Sequence, residues 1–195
     1  MSIIENKKDA PIESFASASA WGKWLAINHG KSDGIWLRIF KKGSGEKTVS
    51  YAEALDEALC YGWIDGQKNK FDSNSWIQKF TPRRVRSIWS KRNIEHVERL
   101  MDEKRMKAAG MKAFEDAQKD GRIGAAYDSP SNSKVPDDFL KLLENNNQAK
   151  AFFESLNKTN RYAITWRLQT AKKAETRTKR MNIIMQMLTK GEKFH

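Results

Sequence analysis

Apolar positions recur at helical spacing from Phe15 onward. Ala18, Trp21, Trp24 and Leu25 share one face up to Asn28, and Gly30 reads as the stop. The period then changes to two. In "IWLRIF", 35–40, Ile35, Leu37 and Ile39 alternate with Trp36, Arg38 and Phe40. Both faces are largely apolar, which predicts a strand that is central or covered on both sides. "KKGSGEK" follows as a glycine-bearing loop; it lacks the strand–loop–helix spacing of a phosphate-binding loop and reads as an ordinary connection. Ser50 and Glu53 form a capping-box pattern, with Val49 placed to staple onto Ala54. Tyr51, Ala54, Leu55, Ala58 and Leu59 continue as an apolar stripe, and Gly62 is a left-handed stop. "WIDGQKNKF" and "SWIQKF" read as two strands joined around "DSNS", a hairpin. Pro82 ends the second strand, because it has no N–H to donate to a ladder.

After residue 90 the pattern is helical. Ser90 or Asn93 caps a helix carrying Ile94, Val97, Leu100 and Met101, and Met111, Phe114 and Ala117 mark another that stops at Asp120–Gly121. Residues 124–136, "GAAYDSPSNSKVP", are rich in Gly, Ser, Asn and Pro and read as a linker. Beyond them, stripes led by Phe139, Phe152, Tyr162 and Met181 predict three or four short helices, the last stopped near Gly191. The expected fold class is therefore α+β: a small antiparallel or mixed sheet with packed helices over 14–123, preceded by a flexible arm (1–13). The linker (124–136) and a small helical C-terminal unit (137–195) follow.

The composition, 39% hydrophobic and 31% charged with seven Trp and nine Phe, supports a real core. No apolar run approaches the roughly 18 residues a membrane span needs, and the N-terminus shows no secretory h-region. One cysteine, Cys60, excludes an internal disulfide; its place beside Leu59 favours a buried thiol over a nucleophile. A cytoplasmic setting is expected. His29, His96 and His195 are scattered without ligand spacing, so neither metal nor cofactor is expected. The net charge of +12 changes the picture most, because it is concentrated. Residues 79–92 hold a net +6 and residues 158–180 a net +7, leaving the remainder near neutrality. Such clusters suit an anionic partner, a nucleic acid or an acidic protein surface; they suit a solvated face equally well.

The densest cluster, "FTPRRVRSIWSKRN" at 80–93, combines planar arginine donors with Trp89, a ring on which a base or guanidinium can stack. Arg86, Trp89, Lys91 and Arg92 form one expected anion-binding patch, and Arg177, Lys179 and Arg180 the other. Positive charge at the start of the last helix opposes the helix dipole, which suggests that it is kept for an external or interdomain purpose. Asp65, between Ile64 and Gly66 at the start of a strand, either edges a pocket walled by Trp63 or is a structural carboxylate that accepts backbone N–H groups or pairs with Arg83 or Arg84 across the hairpin. That pairing makes the two arginines beside Pro82 structural and leaves Arg86, Lys91 and Arg92 exposed.

"ALCYGWIDGQ", "FTPRRVRSIWSKRN" and "AKKAETRTKR" together resemble the marker stretches of the YdeI/OmpD-associated family, also labelled bacteriocin-protection proteins, over roughly residues 15–190. Val85 and Ala174 stand where that family usually has proline. The resemblance implies a helical C-terminal module and a protective context, and no established reaction or catalytic residue. The leading expectation is a non-enzymatic cytoplasmic protein that binds an anionic partner, in stress or bacteriocin protection. The alternatives are a small-molecule or enzymatic pocket around Trp63, Asp65, Arg83 and Arg84, and a protein–protein interaction module.

Overall fold

The computed structural model describes residues 10–195, which fold as α+β. The expected arm lies outside the described residues as far as residue 9. Its last part is not loose, since Ile12–Glu13 forms a strand (β1) parallel to the next one. The chain divides into two compact units, and the division runs through the basic stretch. Residues 10–87 and 93–122 make the first unit; Ile88–Arg92 and Ile123–His195 make the second.

In the first unit, α1 (Ala18–Asn28), β2 (Ile35–Phe40), α2 (Tyr51–Cys60), β3 (Trp63–Lys70) and β4 (Ser75–Pro82) follow the expected order. The sheet is mixed, in the order β1-β2-β4-β3. β2 is internal, and Ile35, Leu37 and Ile39 are buried on one of its faces while Trp36, Arg38 and Phe40 are half-buried on the other. α2 begins with the full capping box: Glu53 N–H donates to Ser50 Oγ and Ser50 N–H to Glu53 Oε2. It ends at Gly62, whose φ of 75° only a glycine adopts readily. Trp21, Trp24, Trp63 and Phe80 pack ring against ring, with centroids 5.2–6.4 Å apart. The Trp21 indole N–H donates to Ala54 O at 3.0 Å, so this buried ring leaves no polar group unmet. α3 (Lys91–Asp102), from Asn93 onward, and α4 (Ala108–Lys119) complete the unit.

α4 approaches α2 closely. A Cβ on Gly110 would lie 2.2 Å from Cys60 O, so only glycine fits there. Acids of α2 meet bases of α3 and the turn after it. Asp56 binds Arg99 at 2.6 Å and lies 2.8 Å from His96 Nδ1, and Glu57 binds Arg105 at 2.8 Å.

The second unit holds α5 (Asp137–Glu144), α6 (Asn147–Ser155), α7 (Lys158–Gln169) and α8 (Ala174–Thr189) around Phe139, Leu143, Phe153, Ile164, Leu168, Ile184 and Leu188. Within 124–136, Tyr127 exchanges backbone hydrogen bonds with Trp89 and Lys91. Asp128 binds Lys91 at 2.8 Å and accepts from the Gln169 amide.

Candidate functional site

The residues around Pro82 build a cleft of about 420 Å³ in the first unit. Three local features shape it. β4 ends at Pro82, and Arg83 N–H donates to Gly62 O at 2.9 Å, which holds the departing chain beside the end of α2. Gly62 has no Cβ, and one placed there would come within 3.0 Å of Ala109 O, so glycine lets the first turn of α4 close in. Trp63 is buried, and its indole N–H donates to His29 O at 3.0 Å, which brings the end of α1 to the same rim.

The walls are apolar and aromatic, from Tyr61, Trp63, Pro82 and Ala113. The charged lining comprises Arg83, Arg84, Lys112 and Arg122 against one acid, Asp116. Lys112 binds Asp116 at 3.1 Å, and Arg122 binds Asp120 at 2.7 Å and donates to Ser87 O. Arg84 is exposed and makes no ion pair among the described residues. Ala109, in the first turn of α4, lines the cleft, and the N-cap of that helix, Lys107, supplies no side-chain acceptor. Unsatisfied N–H groups at such a helix start attract negative charge. His29 sets its ring 5.2 Å from that of Tyr61, and its Nδ1 faces Leu25 O at 2.9 Å. A carbonyl only accepts, so that nitrogen carries the proton. Few convergent polar groups in an aromatic cleft is the usual form of a small-ligand site.

The expected site residues divide sharply. Trp63, Arg83 and Arg84 come together in this cleft, whereas Asp65 does not: it accepts from Tyr51 Oη at 2.7 Å. The expected arginine partner for Asp65 is thus replaced by a tyrosine of α2, and Arg84, expected out of water, is exposed. Trp89 is 2% exposed, so its ring offers no stacking face to a partner. Lys91 is tied to Asp128, while Arg86, Arg92 and Lys179 are exposed without an ion pair among the described residues.

Arg177 and Arg180 turn toward their own unit. Arg177 donates to Asp138 from Nε at 3.1 Å and from Nη2 at 2.7 Å, and to Leu168 O at 2.7 Å from Nη1. Arg180 donates to Arg167 O at 2.7 Å and to Thr170 Oγ1. Both therefore cap the C-terminal carbonyls of α7, where positive charge is favourable. Through these two residues the basic start of α8 serves the preceding helix of its own unit, in place of the external or interdomain purpose expected of them.

Nothing in the sequence alone singles out His29, Tyr61, Lys112 and Arg122 as cleft residues. The nearest signals are Tyr61 standing beside the Gly62 stop and the Lys112–Asp116 spacing of four. Among the described residues, no group of three His, Cys, Asp or Glu is placed to hold a metal, and no helix is long and apolar enough to cross a membrane.

The chain belongs to the family defined by a domain of unknown function (DUF8412), whose model matches residues 13–113. Residues 132–191 match the family described as Bacteriocin-protection, YdeI or OmpD-Associated, the one the three marker stretches resemble. That match is narrower than the resemblance: "ALCYGWIDGQ" and "FTPRRVRSIWSKRN" lie within the first model instead. No curated protein and no solved structure matches the chain.

Proposed function

We propose that this is a non-enzymatic cytoplasmic protein that binds an anionic ligand, seated in the cleft of the first unit. The observation that carries this is the lining of that cleft: four basic side chains and one acid, over aromatic walls, beside a helix start without a side-chain cap. Arginine supplies planar, paired donors that fit phosphate or carboxylate oxygens. Of the seven residues expected in surface anion patches, four are buried or engaged within their own unit, which favours the cleft over those patches. The family match at 132–191 supports a setting in bacteriocin protection.

Calorimetric titration with inorganic pyrophosphate tests the proposal. Saturable binding is expected, weakened about tenfold or more in Arg84→Ala, the loss typical of one charge-assisted contact. Because Arg84 is exposed, the melting temperature of the unliganded variant should stay close to that of the wild type. Unchanged affinity in Arg84→Ala, or no binding by the wild type, overturns it.

A further inference from the structure

The sheet of the first unit has two unlike faces. One is core: Ile35, Leu37, Ile39 and Phe80 are at most 1% exposed. On the other, β2 presents Trp36, Arg38 and Phe40 at alternate positions, all half-buried. The register sets Lys79 of β4 opposite Trp36, and Ile12 of β1 on its other side. Phe71, just beyond β3, is 45% exposed and Ile12 is 48% exposed.

Rings and cations interleave across this face. The Arg38 guanidinium lies 4.4 Å from the Phe40 centroid and 4.6 Å from that of Phe71. It is fixed there by Asp72 at 2.6 Å and by Ser75 Oγ, which accepts from its Nε at 3.0 Å. Lys79 Nζ lies 5.4 Å from the Trp36 centroid. Among the described residues Asp72 is the one acid in this cluster, and it is already committed: it also accepts from Ser75 Oγ and Asn74 N–H. The hydrogen bond from Ser75, the helping backbone N–H groups and the Arg38 charge hold its carboxyl below the ordinary carboxylate range.

We infer that this sheet face is a platform for single-stranded nucleic acid. Rings on a pleated surface stack bases without regard to sequence, and cations set between them meet the phosphates. Trp36 and Phe40 stand four residues apart on one strand, about 13 Å, a span comparable to the two or three bases that sheet platforms of RNA-binding domains stack. Charge complementarity decides the class of partner. Arg38 and Asp72 neutralise each other, so among the described residues Lys79 is the uncompensated charge of the cluster, in a chain of net charge +12, and flat aromatic rings are of most use to a partner that has flat rings of its own. A duplex keeps its bases stacked inside and cannot use the rings. The platform is separate from the cleft, since neither Trp36, Phe71 nor Lys79 lines the latter.

Fluorescence anisotropy with labelled oligo-dT, the same strand in a duplex with oligo-dA, and a poly-glutamate peptide tests this. At low salt the single strand should bind well above both others. Phe71→Ala, at an exposed position that leaves the core intact, should weaken that binding roughly tenfold. Lys79→Ala should lower the salt slope by about one unit. Equal binding of duplex or poly-glutamate, no single-strand binding at low salt, or full affinity in both Phe71→Ala and Lys79→Ala overturns the inference. Pyrophosphate binding should survive in Phe71→Ala, so that failure of the platform and failure of the cleft are read separately.

Discussion

A methyl group at residue 110 has nowhere to go. A Cβ there would meet Cys60 O at 2.2 Å and Leu59 O at 2.7 Å, and both are backbone atoms that cannot swing aside. Gly110→Ala must therefore push α4 away from the end of α2, at a cost of about 3 kcal/mol by the measure of overpacked cores. Gly30→Ala is the matched control, because nothing lies within 4 Å of the added atom. Urea denaturation of the two variants should show a large loss for the first and a change within about 0.5 kcal/mol for the second. The neighbouring thiol gives a chemical readout at the same scale. Burial, helped by the Glu57 carboxylate, pushes the Cys60 thiol up to about 11, so thiolate is scarce near neutral pH. The folded protein should react with a thiol reagent at pH 8 far more slowly than the urea-unfolded chain, and Gly110→Ala should speed it. Equal rates in folded and unfolded protein would show that Cys60 is accessible.

Elements whose signals lie within a few residues were legible in the sequence. The capping box of α2 spans Ser50 to Glu53, and the left-handed stop at Gly62 is a single residue. The strand periodicity of 35–40 and the hairpin around 72–75 are equally local. Contacts that join distant segments were not. Nothing local pairs Asp65 with Tyr51, or Asp56 with Arg99 43 residues away. The same limit applies to Arg177 and Arg180, whose charge looks misplaced at the start of α8 until α7 is seen to end against it. Arg180→Ala removes two hydrogen bonds from the end of α7 and should destabilise the second unit by about 1–3 kcal/mol. Lys179→Ala, exposed and without an ion pair among the described residues, should fall within about 0.5 kcal/mol of wild type. Thermal melts of the two variants check this; a larger loss for Lys179→Ala would contradict the capping role. Burial of Trp89 belongs with these contacts, since a tryptophan among arginines looks the same in sequence whether it faces solvent or core.

At the scale of the whole molecule the chain crosses between its units three times: residues 88–92 leave the first unit for the second, residues 93–122 return, and the chain leaves again at Ile123. Acid titrates the ties of the second unit. Lys91 holds the Asp128 carboxyl below its ordinary value of 3.8, aided by Gln169, and Arg177 does the same for Asp138. A carboxyl whose folded pKa is depressed contributes stability that is fully present above the unfolded value. That contribution is lost as pH falls through the folded pKa. The melting temperature should thus hold roughly level from about pH 7 to pH 5 and decline below about pH 4. Asp138 is half in solvent, so its share is modest, but the pair can be isolated. In Arg177→Ala the Asp138 carboxyl regains an ordinary pKa, so the variant should start from a lower melting temperature at about pH 7 and then decline less steeply in acid. The gap between the two curves should narrow as pH falls through the depressed pKa of Asp138, and what remains is the share of the Leu168 contact. Parallel curves across the whole range would mean that Arg177 acts only through the Leu168 carbonyl and that the ion pair with Asp138 contributes nothing.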